Sequence, residues 1–451
     1  MMQKPDVLVL GAGPAGLAAA VALLQGGLEP LVLESAVRAG GSVATHRENG
    51  FIAEGGPNSL LLENDGTEDF LRQLGIVILE ANPVAKKRFL VCRGRPVAAP
   101  SGPIGAITTP LLGFLEKLRV LGEPFARTST DPDESVAAFA RRRLGAGVVT
   151  RLVDPMIAGV YAGDAEKLSV RQALPRLYEM EQRYGSLLFA GLSKGRAAPR
   201  RRMVNFPGGM ADIPDGMARF LDATRLQTSA AVRTIEHNPG SGWTVTWDAA
   251  GERRCATARF LVLAVPPWNW SALPLPVALG DHLRPWHDVS APPVSVISLG
   301  FTREQVAHPL DGFGVLAPAI EHRNVLGVLF PSSLFQGRAP DGHVLLTSFV
   351  GGCRQPELTR GDAGTQIGIV RKELETLLGA RGEPVFTSIR HWPRAIPQYN
   401  IGYGNLRALL DSAEANFSGL HFCGGYRNGI ALPKTIRNAL DCAEKILATA
   451  H

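Results

Sequence analysis

The stretch that most constrains this chain is DVLVLGAGPAGLAAAVALLQGG, which begins at Asp6. Its first residues, Asp6 to Leu10, read as a short buried parallel strand. Gly11, Gly13 and Gly16 follow in GxGxxG spacing, with Ala12, Pro14, Ala15 and Leu17 completing the turn into an alanine-rich helix. The first glycine permits the tight bend, and the second lets the backbone approach a pyrophosphate. The third, with Ala18, Ala19 and Ala22 behind it, lets helix and sheet pack closely. The helix start then offers unpaired N–H groups and a positive dipole end to phosphate. A second strand, PLVLE, ends at Glu34, eighteen positions after Gly16. That lies near the spacing of about 20 residues at which an acidic side chain binds a ribose. Strand, helix, strand and terminal acid together predict a dinucleotide site. A second glycine pattern, LGAGVV at Leu144 to Val149, follows a helical stretch instead of a strand, so Gly145 reads as a helix C-cap.

The segment from Arg38 to Leu60, RAGGSVATHRENGFIAEGGPNSL, carries the doublets Gly40-Gly41 and Gly55-Gly56. Glycine inside regular structure costs about 0.5–1 kcal/mol relative to alanine, so the doublets need a reason. A pair of ordinary turns is one reading. The other is a flavin, because chain running along the pyrophosphate and ribityl and past a flat isoalloxazine has no room for side chains. With one well-placed fingerprint, a bound flavin would pass its electrons to something small or mobile, dioxygen first.

At 451 residues the chain predicts two or three domains. Its net charge of +6 suits an anionic membrane surface, a polycarboxylate substrate or nucleic acid, and does not choose among them. Much of that charge sits in the run Lys194 to Arg202, which reads as a solvated loop. Five scattered cysteines without a CxxC pair point to a reducing compartment and away from zinc or disulfides. No basic leader or bilayer-length apolar run is visible, so a cytoplasmic protein is expected, peripheral to a membrane at most. No metal-ligand cluster and no GxSxG elbow appear, and no metal is expected. His391 reads as a satisfied structural residue and Cys423 as buried core.

Beyond the fingerprint, Arg38 to Gly41 resembles the Arg-x-Gly-Gly signature of the flavin amine-oxidoreductase superfamily. GPNS at Gly56, GVYAGDAEKLSVRQALPRLYEMEQRYGSL at Gly159 and FPGGM at Phe206 resemble the protoporphyrinogen oxidase family more narrowly. FGVLAP at Phe313, LGVLFPSSLFQGRAP at Leu326, FVGGCR at Phe349 and WPRAIPQYN at Trp392 extend the resemblance in collinear order over essentially the whole chain. It implies a mixed α/β and α+β architecture. A discontinuous Rossmann-type FAD-binding domain would take residues 1–80, 203–267 and 384–451. A mostly antiparallel-sheet substrate domain would take 81–102 and 268–383, and a helical, membrane-associated domain 103–202. Within the last, Leu111, Phe114, Leu115, Leu118 and Leu121 recur at helical spacing, which suits a membrane surface or the helix's own core equally.

The resemblance also assigns residues. FAD contacts fall on Gly11 to Leu17, Glu34, Ser35, Arg38, Gly41, Ser42, Gly56, Pro57, Asn58 and Ser59. Val232 would lie beside the adenine and Trp392 near the flavin, with Gly424, Gly425, Ile430, Ala431 and Leu432 bringing up a second helix N-terminus. Arg88 would pair with a substrate propionate, although beside Lys86 and Lys87 it also reads as solvated surface. Leu316, Leu329 and Phe349 would wall the tetrapyrrole, or be ordinary core, and Asn58 and Gly159 would edge the cavity. No residue is assigned as catalytic, since the flavin would carry the chemistry. The implied activity is oxygen-dependent six-electron oxidation of protoporphyrinogen IX, with hydrogen peroxide as by-product and ferrochelatase receiving the product. Coproporphyrinogen III, with four propionates in place of two, is the alternative. Another amine oxidase-like reaction or a non-catalytic tetrapyrrole-binding flavoprotein is more distant, and no nucleic acid partner is implied. The chain departs from the family pattern at Pro433-Lys434-Thr435, where relatives often carry an acid, and at Tyr403, where histidine is frequent.

Overall fold

The computed structural model describes residues 4–100, 105, 108–193 and 201–450. Val7–Leu10 pairs in parallel with Pro30–Leu33 on one side and Phe260–Leu263 on the other. Leu226–Gln227 and Leu420–Phe422 complete a five-stranded parallel sheet. The first three strands are buried at every position, as continuous apolar strands covered on both faces must be. On one face, Leu17 and Val21 of helix Pro14–Gln25 and Ile436 and Ile446 of helix Leu432–Ala450 share a core with Val7, Val9 and Val262. On the other, Leu8 and Leu261 pack with Trp243, Val245 and Trp247 of an antiparallel sheet formed by Ala231–Asn238, Gly242–Ala249 and Glu252–Ala258.

Two segments depart from the boundaries expected above. Trp270, Leu279, Leu283 and Trp286 join the core of the parallel sheet, not that of the larger antiparallel sheet expected to hold residues 268–383. Their bulk demands burial, and the indole N–H groups find carbonyl partners there, Trp270 on Val265 (2.9 Å) and Trp286 on Leu406 (3.0 Å). Phe386–Trp392, grouped by sequence with the C-terminal FAD segment, is instead an edge strand of the seven-stranded sheet. Its neighbour Val294–Thr302 is buried along nearly its whole length, so its backbone groups need ladder partners on both sides.

That seven-stranded sheet runs Phe386–Trp392, Val294–Thr302, His343–Gly351, Gly327–Leu329, Gly312–Leu316, Lys87–Cys92 and Arg95–Ala98. It is antiparallel except where Gly312–Leu316 meets Lys87–Cys92. Helix Ala363–Leu378 covers one face, where Val370 and Leu374 pack on Ile297, Val315, Val328 and Leu346.

Residues 108–193 are largely helical and centre on a fully buried ion network. Arg143 Nε lies 2.6 Å from Glu181, and Arg143 Nη1 lies 3.2 Å from Glu123. Glu123 also accepts the N–H groups of Leu187 and Leu188, at the start of helix Leu187–Ser193. Buried charges persist only when paired in this way. Gly145 ends helix Val136–Leu144 with φ +95°, so LGAGVV is a cap and no second fingerprint. Helix Phe114–Leu121 exposes Phe114, Leu115, Leu118 and Leu121 by 74, 77, 48 and 62%. Leu111, expected in the same stripe, is buried ahead of the helix. Among the described residues no helix is long and apolar enough to cross a membrane. The expected solvated loop at Lys194 to Arg200 lies outside the described residues. Arg202 is tied to Glu68 and Glu80.

Candidate cofactor and substrate site

The fingerprint turn joins strand Val7–Leu10 to helix Pro14–Gln25 at the carboxyl end of the parallel sheet. A Cβ on Gly16 would stand 2.0 Å from the Gly11 carbonyl oxygen, so no side chain fits there. Gly13 faces open space, with nothing within 4 Å of its Cβ position. Gly41 closes on this turn from the other side, its Cβ position 3.1 Å from Gly13 Cα, and Gly40 N–H donates to the Ala12 carbonyl (2.8 Å). Glu34 accepts the N–H groups of Ala12 (2.7 Å) and Ala36 (2.9 Å), which fixes its carboxylate against the turn. The chain returns beside it at Ala230, whose N–H donates to the Glu34 carbonyl (2.8 Å), and leads directly into the strand bearing Val232.

The second doublet runs beside the first. A Cβ on Gly56 would sit 2.0 Å from the Ser42 carbonyl oxygen, and Gly55 N–H donates to Ala44 (2.7 Å). Arg38 spans the intervening loop, both Nη atoms lying 3.2 Å from the Val43 carbonyl oxygen. Gly56, followed by Pro57, Asn58 and Ser59, thus packs against Ser42, the residue after Gly41 of the cradle, and the two stretches form one ribbon. Asn58 donates to the Gly56 carbonyl (3.0 Å), while its side-chain oxygen is buried without a donor. Such an orphan costs about 1–3 kcal/mol, and a ligand N–H or hydroxyl would relieve it. The open Gly13 backbone and this acceptor fit a flavin dinucleotide.

Sheet register places the expected substrate residues together. Arg88 pairs with Gly314, Gly314 with Leu329, and Leu329 with Thr347. Two residues along, Leu316, Gly327, Phe349, Val296 and Arg390 stand in line, and Val294 faces Trp392. Positions two apart share a face, so Arg88, Leu316, Leu329, Phe349 and Trp392 all lie on the face opposite helix Ala363–Leu378. Above them sits helix Asp154–Tyr161, where a Cβ on Gly159 would come 2.5 Å from Leu316 Cδ2. Trp392 Nε1 donates to the Gly55 carbonyl (2.6 Å), joining this face to the glycine ribbon, and the Arg390 guanidinium stacks 4.6 Å above the indole. At the far side, exposed Arg88 rests 5.5 Å from the Phe313 ring, whereas neighbouring Lys87 is held by Asp311.

At the C-terminus, strand Leu420–Phe422 leads through Gly424 and Gly425 to helix Leu432–Ala450. Tyr399 fastens this turn: its hydroxyl accepts from Gly429 N–H (2.7 Å) and donates to the Gly425 carbonyl. Ile430 is half-buried, Ala431 exposed and Leu432 buried. The departures from the family pattern are absorbed locally. Lys434 is turned to Asp65 (3.4 Å) and Glu63 (3.7 Å). Tyr403 is buried, stacked on Tyr399, with its hydroxyl on the Tyr426 carbonyl (2.6 Å). His391 has Ser295 at 3.2 Å, and Cys423 is buried, as their sequence positions suggest.

Glu54 is the group sequence reading missed. It ends strand Phe51–Glu54, directly before the Gly55-Gly56 ribbon, and is buried. Burial raises its carboxyl to about 7, against lowering by Thr45, Met210 N–H, Arg338 and Asn205. Thr45 donates to it (2.6 Å), and Met210 N–H (2.9 Å) ties it to the FPGGM turn. The signal was an acid closing the apolar run FIAE in front of a glycine doublet.

The model of the flavin containing amine oxidoreductase family matches residues 14–447. Protoporphyrinogen oxidase 2 of Arabidopsis thaliana is 30% identical, over 98% of this chain and 94% of its own. Coproporphyrinogen III oxidase of Propionibacterium freudenreichii is also 30% identical, over 98% and 91%. A solved structure from Exiguobacterium sp. superposes with a TM-score of 0.84 at 22% identity, over all of both chains.

Proposed function

Because the chain belongs to the flavin containing amine oxidoreductases, we propose that it oxidises a porphyrinogen, protoporphyrinogen IX in the first instance, to the corresponding porphyrin. The observation that carries this reading is one sheet face. Leu316, Leu329 and Phe349 form an apolar floor beside the glycine ribbon, and Arg88 stands at its rim. An apolar floor suits a tetrapyrrole ring, and a rim guanidinium suits a propionate. Bound FAD supplies the electron-accepting chemistry and its reoxidation by dioxygen. The residues of the chain would position and exclude. The floor and helix Asp154–Tyr161 press the ring towards Trp392 and the ribbon, and their apolar surface keeps out water. Over the whole reaction, one porphyrinogen and three dioxygen molecules give one porphyrin and three hydrogen peroxide molecules.

Coproporphyrinogen III is the second reading, since one coproporphyrinogen III oxidase, at 30% identity, is as similar to this chain as a protoporphyrinogen oxidase is. Arg88 and Arg390, at opposite sides of the face, supply two guanidiniums, which suits two propionates better than four. Mixing the FAD-loaded protein anaerobically with each porphyrinogen tests both readings. Faster bleaching of flavin absorbance by protoporphyrinogen IX is expected; faster bleaching by coproporphyrinogen III selects the second reading, and no bleaching by either ends both.

The exposed stripe on helix Phe114–Leu121 supports docking on a membrane surface. Each large apolar side chain left in water forgoes roughly 1.5–3 kcal/mol of burial. Co-flotation with anionic lipid vesicles, lost in a Leu115→Glu, Leu118→Glu double variant, tests it.

A further inference from the structure

Helix Asp154–Tyr161 roofs the substrate face, and both its ends are fastened by one turn of chain. That turn, Gly352 to Arg354, follows directly from the strand carrying Phe349. Cys353 N–H donates to the Ala162 carbonyl (2.7 Å) just past the helix C-terminus. Arg354 reaches the other end, where Nη2 lies 3.0 Å from Asp154 Oδ2. Its Nη1 donates to the Ala317 carbonyl (2.7 Å), and Asp154 Oδ2 also accepts Ala319 N–H (2.8 Å). Ala317 and Ala319 closely follow Leu316. The Asp154–Arg354 pair therefore bonds the start of the roof to the strand end that bears the floor.

We propose that Arg354 is a positioning residue which, through Asp154, holds the roof helix down on the floor where Gly159 touches Leu316, and so fixes the closed edge against which the ring must fit. This rests on the porphyrinogen reading above. Three features favour a positioning role over a merely structural one. The pair is a polar bridge at the helix's N-terminal end, while further along the roof Ala158 and Ala162 pack on apolar Val294, Val296 and Leu326. Both side chains are partly accessible, at 17 and 28%, so they do not complete a buried core. The contact they hold has no slack, since one methyl on Gly159 would stand only 2.5 Å from Leu316 Cδ2. A roof free to lift would bind the ring loosely without altering the bound cofactor.

The test uses FAD-loaded protein and Arg354→Gln, Asp154→Asn and the double variant, with Arg354→Lys as the conservative change. Asp154→Asn retains an acceptor for Ala319 N–H and guards against simple misfolding. Expected are a KM for porphyrinogen raised about tenfold in either single variant, kcat within about twofold, and unchanged bound FAD. The double variant should be no worse than the worse single one, as for two halves of one contact, and Arg354→Lys should lie between. Hydrogen exchange over residues 155–162 should accelerate in Arg354→Gln. An unchanged KM beside an active wild type, additive single effects, or unaltered exchange would overturn the proposal. A wild type that no porphyrinogen reduces would remove the functional reading and this role with it.

Discussion

Gly159 and Leu316 meet across the site so closely that a single added methyl on the glycine would stand 2.5 Å from Leu316 Cδ2. Helix and sheet are therefore in contact at this point, which closes one edge of the proposed ring site. Gly159→Ala should raise the KM for porphyrinogen by roughly tenfold, an overpacking cost of about 1–3 kcal/mol. Leu316→Ala in the same chain should recover much of that loss, because it removes the colliding atoms. Steady-state kinetics on the two single variants and the double variant measure the coupling.

Arg88 differs from its neighbour in having aromatic, not acidic, company: Lys87 pairs with Asp311, whereas the Arg88 guanidinium lies over Phe313. Its charge is thus left for a ligand carboxylate. Arg88→Ala should raise KM by about 10- to 100-fold, the equivalent of one charge-assisted hydrogen bond of about 1.5–3 kcal/mol, with a smaller fall in kcat. Unchanged KM would remove it from the site.

Glu54 predicts a pH dependence of stability. Its folded-state value of about 7 lies above the ordinary 4.5, because burial penalises the carboxylate. The folded chain therefore holds this proton more tightly than the unfolded chain. The stabilisation is complete below about 4.5 and is lost as pH rises through about 7, a change of roughly 3 kcal/mol. Glu54→Gln keeps the buried side chain neutral at every pH. Thermal melts from pH 5 to 8 should show the wild type losing stability relative to the variant as pH rises. Parallel curves would refute the assignment.

How much of this was legible in the sequence depends on the range of the interaction. The fingerprint was readable because strand, turn, helix and Glu34 are contiguous, and Ala12 N–H does meet Glu34. The common face of Arg88, Leu316, Leu329 and Phe349 came from resemblance alone, since its register joins the Arg88 strand to partners more than 200 residues further along the chain. Local pattern failed where pairing partners are distant. Phe386–Trp392 sits next to the last FAD segment in sequence, yet Val294–Thr302 captures it. Leu111 fits the helical period of Phe114 to Leu121 but precedes the helix and turns inward. Glu54 and the Asp154–Arg354 pair escaped because composition does not reveal which charge is buried or which partner folds against it.

The glycine ribbon makes the most direct prediction about the cofactor. Gly56 passes the Ser42 carbonyl so closely that a Cβ there would stand 2.0 Å from the oxygen. Both partners are backbone, so no rotamer change can relieve the clash. Either the Arg38–Ser42 loop, whose Gly41 packs on Gly13, or the Gly55–Asn58 segment against it must move. Gly56→Ala should therefore lose FAD before it loses fold. The purified variant should show a flavin-to-protein absorbance ratio well below that of the wild type, and an FAD dissociation constant raised at least tenfold, the effect of about 1–3 kcal/mol of strain. Trp392→Phe provides the contrast, since it deletes the hydrogen bond to Gly55 (2.6 Å) without adding volume. Its loss of affinity should be smaller than that of Gly56→Ala. A fully yellow Gly56→Ala protein with wild-type affinity would show that the two glycine doublets do not shape the flavin site.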